Sequence, residues 1–364
     1  MIEGGWTASR LPRLRIRGNP ALVLFILAPA VGELLSGSAP PSEFFTPFGF
    51  TILLGLYGCG AVLTRELKVL WGKGIGSLLL LGAAYGALEE GVMVASWFSP
   101  VWPDLGVLGV FGRWLGVNWV WAAELTMYHA IISITVPVIL VELAYPKRKC
   151  ERWLTDGWLK VIASILTVDV AVGFILFSLM LDYFPPLPQY FLAFIVVVVF
   201  TYIAYRLPAD WARHGIKPMK TPLFYAVFTA FGALASGIIF WILPNLSFFP
   251  LFPVVVILIG FSVIFGSIKL LAGYDWKKAT SLHWFALTFG SLFLFIISAF
   301  FQELDKSRTD NTAGMGLVGG VTIFIMVLLW LKLKRRYKST TVNLEQRGAR
   351  APIINDLRYR QQSP

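Results

Sequence analysis

Apolar runs close to bilayer-crossing length recur from one end of this chain to the other, and that recurrence constrains the fold more than any other feature. A helix that crosses a membrane needs about 20 apolar residues, because at about 1.5 Å per residue it must cover about 30 Å of hydrocarbon. In 364 residues such runs fall at about Pro20–Leu35, Phe48–Thr64, Ile75–Trp97, Val117–Leu143, Trp158–Leu181, Gln189–Tyr205, Pro222–Leu243, Pro250–Leu271, Ser281–Phe301 and Gly316–Leu331. With no water to pair backbone groups, each run must be helical. The reading is an all-α fold, a polytopic transmembrane bundle of about ten spans. A composition of 57% hydrophobic and 14% charged residues excludes an ordinary soluble enzyme.

The basic residues test that count. If the N-terminus is cytoplasmic, all but Arg113, Lys306 and Arg308 of the 31 Lys and Arg residues fall in alternate, cytoplasmic segments. One misplaced span would scramble that alternation, so the positive-inside rule supports ten spans with both termini in the cytoplasm. The chain then divides into a basic N-terminal segment over 1–19, a transmembrane domain over 20–331 and a basic, disordered tail over 332–364. A cleaved signal peptide is the alternative for the first run, with Gly37-Ser38-Ala39 as the small-residue site, although Glu33 interrupts it and Pro40 follows. The expected location is the plasma membrane, with the lipid bilayer as partner. In the tail, Lys332, Lys334, Arg335, Arg336 and Lys338 form a cluster expected to lie against anionic lipid.

The net charge of +11 does not indicate nucleic acid, because the basic residues sit in loops and no nucleotide-binding or zinc-finger spacing accompanies them. Two cysteines, Cys59 and Cys150, give no disulfide framework.

Carboxylates and imidazoles inside the hydrocarbon are costly and mark candidate sites. Glu89 and Glu90 stand side by side in LGAAYGALEEGVMVASW, roughly 20 Å above the cytoplasmic start of their span. Glu33 and Glu124 reach the same outer layer, with His129 and Asp169 nearer the midplane. Gly82, Gly86 and Glu90 recur at i, i+4, i+8, so the face that admits a neighbouring helix also carries Glu90. On the next span Thr126, His129 and Ser133 share a face and Pro137 follows, which reads as a cavity lining with a kink. Glu124 lies about 140° round the helix from His129 and need not share its site. Glu66 and Glu142, beside basic loops, are expected in interfacial salt bridges, and His214 and His283 in solvent.

Such a set suits a hydrolase in which Glu89 or Glu90 activates water, while His129 or a metal stabilises the oxyanion. A Glu/Glu/His set can also hold a divalent ion, though the sequence requires none. It equally suits a proton- or cation-coupled transporter with Glu33, Glu89, Glu90, His129 and Asp169 as its path and Pro29 and Pro137 allowing helix breaks, or a non-catalytic subunit whose polar residues hold helices together.

Glu89-Glu90 on one span and Leu125-x-x-x-His129 on the next resemble the first two motifs of the intramembrane glutamate peptidases, which include the CAAX-processing and bacteriocin-processing enzymes. The resemblance covers about 40 residues. It implies that Glu89 activates water and that His129 is the second-motif histidine. Val94 stands where that family has Arg, Leu125 where it has Phe, and Ile165 precedes Asp169 where the third motif has His.

Overall fold

A computed structural model of the chain describes residues 18–211, 215–246, 249–306 and 308–345, with side chains described as far as Lys338. The basic residues before Gly18, His214 and the tail beyond Glu345 therefore lie outside the described residues. Among the described residues nine helices are long and apolar enough to cross a membrane, and a tenth, shorter one precedes them. In chain order they are α1 (Pro20–Leu34), α2 (Pro47–Leu70), α3 (Ile75–Met93), α4 (Trp119–Ala144), α5 (Asp156–Met180), α6 (Leu187–Arg206), α7 (Pro222–Asn245), α8 (Phe252–Ala272), α9 (Ser281–Leu304) and α10 (Met315–Glu345). This is the all-α polytopic bundle that the apolar runs require. The sole sheet among the described residues is a ribbon of two short strands, β1 (Arg113–Trp114) and β2 (Val117–Asn118), paired antiparallel before α4.

Local chemistry fixes where the helices begin. Asn19 accepts a hydrogen bond from Ala21 N at 3.0 Å and Pro20 follows it. Thr46 before Pro47, Thr155 before α5 and Thr221 before Pro222 cap in the same way. At α9 the cap is reciprocal: Thr280 N donates to His283 Nδ1 at 3.0 Å, and His283 Nε2 lies 3.0 Å from the Lys220 carbonyl. His283 is thus buried and structural, not solvated as expected, because its ring joins two loops that meet beneath α7 and α9.

The core lies around α3 and α4. Of the most apolar 18-residue stretch of each, 78% and 72% is buried, against 11% for α6, α7 and α8. The latter helices present long aliphatic and aromatic side chains outward, as lipid-facing helices do. Small residues let α3 approach α4 closely: a Cβ on Gly82 would come within 2.9 Å of the Ala130 backbone, and one on Gly86 within 2.8 Å of His129 Cβ.

The basic loops gather at one end. Arg65, at the end of α2, donates to the carbonyls of Lys149 and Glu151 at 2.8 Å, lies 2.6 Å from Glu66 Oε1 and stacks 3.5 Å over Trp153. Glu142 takes Lys68 at 2.5 Å, so both Glu66 and Glu142 are in salt bridges as expected. Lys73 reaches the Leu207 carbonyl, and Lys217 pairs with Gly273 and Asp275. The opposite end carries the Pro- and aromatic-rich loops, tied by Arg308 to Gly37 O at 2.8 Å and by Gln302 to Ser36 O at 2.7 Å.

The last helix does not stop at residue 332. It continues to Glu345, so the tail expected to be disordered is helical over 332–345. Lys332 turns inward to the Ala144 carbonyl at 3.1 Å and Arg336 to the Leu143 carbonyl at 3.5 Å, where the C-terminal end of α4 offers unpaired acceptors. Lys334, Arg335 and Lys338 remain exposed.

Candidate functional site

Four of the first five helices' polar groups meet where the helices widen. Each of α1, α2, α3 and α4 contains a π-helical stretch: Ala30–Leu34, Leu54–Gly58, Leu88–Met93 and His129–Thr135. Glu33, Tyr57, Glu89 with Glu90, and His129 with Ser133 lie one set on each. A π turn closes i→i+5 bonds, so it turns less per residue than an α-helix and frees a carbonyl. In α3 the smaller turn lets the neighbours Glu89 and Glu90 both face His129. In α1 the Gly32 carbonyl accepts from Tyr128 Oη at 2.6 Å, which ties α1 to α4.

His129 is the centre. Its Nε2 lies 3.0 Å from Glu90 Oε1, and its Nδ1 lies 3.0 Å from Ser133 Oγ and 3.4 Å from Glu89 Oε2. Glu90 Oε2 accepts from Ser96 Oγ, which in turn accepts from Trp121 Nε1 at 2.9 Å. Ser96 comes back to Glu90 because Ala95 takes a left-handed conformation, φ 53°, just past the end of α3. Asn118 Nδ2 holds the Ser96 and Ser99 carbonyls at 2.9 Å, and Arg113 donates to Asn118 Oδ1 at 2.6 Å. The ribbon before α4 thereby anchors the turn that positions Ser96.

On the other flank Glu89 Oε1 accepts from Tyr57 Oη at 2.5 Å, and Tyr57 Oη also contacts Glu33 Oε1. A phenol has one hydrogen, so it cannot serve both carboxylates; the arrangement is complete only with a second hydrogen on Glu33 or Glu89. The rings of Tyr57 and Tyr85 pack at a tilt of 60° with centroids 5.6 Å apart, and Tyr85 meets the imidazole edge-on at 5.9 Å. Glu89 Oε2 and Tyr85 Oη are buried next to each other; neither completes a well-formed hydrogen bond, although the phenol lies where it can donate to the carboxylate and Oε2 is 3.4 Å from His129 Nδ1.

The sequence candidates separate accordingly. Glu33, Glu89, Glu90, His129 and Ser133 converge. Thr126 does not: its hydroxyl returns to the Ala122 carbonyl on its own helix at 2.7 Å. Glu124 points to α7, where Trp241 Nε1 donates to it at 2.5 Å from another π turn, Ile238–Ile242. The angle round α4 foretold that separation. Asp169 packs against Gly55, where a Cβ would come within 2.6 Å of its carboxylate, and makes no hydrogen bond to the cluster. Tyr57, Tyr85, Ser96, Asn118, Arg113 and Trp121 were not singled out from the sequence. Tyr57 and Tyr85 lie in apolar runs where an aromatic reads as packing, and only a polar partner on another helix reveals the hydroxyl.

One oxygen of each of Glu89 and Glu90 and one ring nitrogen of His129 lie within 4.8 Å of one another, all three residues buried, a donor set that a metal ion can use. Comparison with known protein families, curated proteins and solved structures finds no match.

Proposed function

We propose that the chain is an intramembrane hydrolase, peptidase-like, acting on a membrane-associated substrate. The observation that supports this reading best is the buried Glu89 Oε2, unpartnered beside an imidazole whose two nitrogens are both engaged. Water held there gives a proton to Glu89 as its oxygen bonds the substrate carbonyl carbon and the C=O pair moves onto oxygen. Tyr85 Oη, the other unpartnered group, donates to that oxyanion. As the intermediate collapses, the C–N bond breaks and the leaving nitrogen takes the proton from Glu89. Glu90 positions His129, and Ser96 positions Glu90. The pairing of Glu89-Glu90 with His129 is also what the resemblance to the intramembrane glutamate peptidases would require. In this reading the basic end faces the cytoplasm of a plasma-membrane protein, and Lys334, Arg335 and Lys338 face anionic headgroups.

The test is cleavage of fluorophore-quencher peptides built on single transmembrane segments, with purified protein in lipid nanodiscs and fragments read by mass spectrometry. Glu89→Gln should lower turnover by about 10²–10⁴-fold; wild type no faster than Glu89→Gln refutes the reading.

A specific observation favours a second reading, a proton-coupled carrier: oxygens and nitrogens run in hydrogen-bonding reach from Glu33 through Tyr57, Glu89, His129 and Glu90 to Ser96. A carrier would lose coupled uptake in Glu33→Gln and cleave no peptide.

A further inference from the structure

We propose that Glu89, Glu90 and His129 bind a divalent transition-metal ion of the zinc or manganese class. Its use rests on the hydrolase reading, with one change of role: the ion would hold and acidify the attacking water, and Glu89 would act as its ligand in place of taking the proton itself.

Each of the three residues is pinned from outside by one atom: Tyr57 holds Glu89 Oε1, Ser96 holds Glu90 Oε2 and Ser133 holds His129 Nδ1. The other atoms turn toward one another within the cluster, Glu90 Oε1 3.0 Å from His129 Nε2 and Glu89 Oε2 3.4 Å from His129 Nδ1, so an ion would replace contacts among these three residues alone. Metal ligands are oriented in this way, through hydrogen bonds to the atom that does not bind. Tetrahedral zinc with bonds of about 2.0–2.1 Å has ligand-to-ligand edges of about 3.4 Å. Nε2 and Glu90 Oε1 are 3.0 Å apart, and the three residues offer one ligand atom each within 4.8 Å of one another, so side-chain rotations complete the geometry.

Charge balance points the same way. Glu89 and Glu90 are buried and Glu33 half-buried beside them, and among the described residues no Lys or Arg forms a salt bridge with any of the three. Arg113 is spent on Asn118 and the Phe98 carbonyl, which leaves His129, 3.0 Å from Glu90 and 3.4 Å from Glu89. One imidazole carries at most one positive charge against three carboxylates, so the balance needs protons or a further cation, and a dication supplies two charges at once. The basic end meets the same problem differently, giving Glu66 and Glu142 arginine and lysine partners. Finally, Glu89 Oε2 completes no hydrogen bond in a residue only 6% exposed and faces His129 at 3.4 Å, an acceptor short of a partner on the inner side of the cluster.

The test uses the full chain in detergent, stripped with chelator, dialysed against Zn²⁺ or Mn²⁺ and assayed for bound metal per chain. Wild type should hold about one equivalent. Glu89→Gln and His129→Gln should lose it, Ser96→Ala should weaken affinity about 10–100-fold, and Glu124→Gln, a half-buried carboxylate outside the cluster, should keep it. Cobalt substitution of wild type gives a second measurement that needs no variant: visible d–d bands are expected. The inference is overturned if wild type binds no more metal than Glu89→Gln, if Glu124→Gln loses metal equally, or if cobalt gives no bands. Bound metal without peptide cleavage would sink only the hydrolase reading; cleavage by a protein that binds no metal would sink only this one.

Discussion

Replacing Gly86 by alanine should damage this protein, although glycine-to-alanine changes in helices ordinarily help. The added Cβ would stand 2.8 Å from His129 Cβ and 3.3 Å from two ring carbons. Ordinary carbon contacts begin near 3.5 Å, so α3 and α4 must part by about 0.7 Å or His129 must swing. Overpacking of this kind costs about 1–3 kcal/mol. Movement of the imidazole also stretches its 3.0 Å contact with Glu90, and a buried charged hydrogen bond lost adds about 1.5–3 kcal/mol. Helix propensity returns about 0.5–1 kcal/mol, so the net loss is about 1.5–5.5 kcal/mol. Gly232→Ala, on lipid-facing α7, is the matched control, because a Cβ there meets nothing within 4 Å and only the propensity gain remains. Thermal unfolding of both variants in the same detergent should give opposite shifts. A Gly86→Ala protein as stable as Gly232→Ala would refute the argument that glycine is there to seat His129.

Other perturbations test separate parts of the structure. Arg65→Leu should cost about 3–5 kcal/mol in unfolding experiments, since it leaves the buried Glu66 without its nearest charge; an unchanged midpoint would mean that Lys68 and Arg152 suffice. Ser96→Ala frees Glu90 Oε2 and should lower turnover about 10–100-fold with a loss of stability of only about 1–3 kcal/mol, a split that a purely structural serine would not produce. At the loop end, the hydrogen bond from Arg308 holds the Asp310 carboxyl below the usual carboxylate range. Because the folded value is the depressed one, the contribution is fully present above about pH 4 and is lost as pH falls through the folded value. Hydrogen exchange over residues 305–314 should therefore rise in acid and become pH-independent in Asp310→Asn; equal acid sensitivity in that variant counts against the pair.

Ten apolar helices were legible because hydrocarbon leaves the backbone no alternative to helix, though among the described residues nine are long enough to cross and Pro20–Leu34 is shorter; the Gly82–Gly86–Glu90 spacing placed Glu90 correctly against α4. Depth alone was less informative. It put Glu124 in the layer with Glu33 and Asp169 at the level of His129, but height says nothing about which way a side chain points: Glu124 faces Trp241 and Asp169 faces Gly55. Glu89 was the harder half of the pair, since α-helical spacing turns one of two neighbours away, and only the π turn at Leu88–Met93 brings both inward. No residue type encodes that turn; it arises where partners across helices compensate the altered backbone bonds. The basic cluster after residue 332 resembled a solvated tail in composition, yet Lys332 and Arg336 serve as caps for α4, a role that depends on where another helix ends.

The π turns also bear on how such a site tolerates change. A π turn takes up one residue more than an α turn while the helix on either side keeps its phase. In α2 and α4, where the π turn lies mid-helix, deleting one residue inside it would restore the α-helical turn and leave the flanking apolar faces in place. Such a deletion would move only the residues inside the turn, Tyr57 in one helix and His129 with Ser133 in the other. Point substitutions along the lipid-facing surface are then nearly silent, and a one-residue deletion at either of two places remote in sequence would dismantle the same cluster.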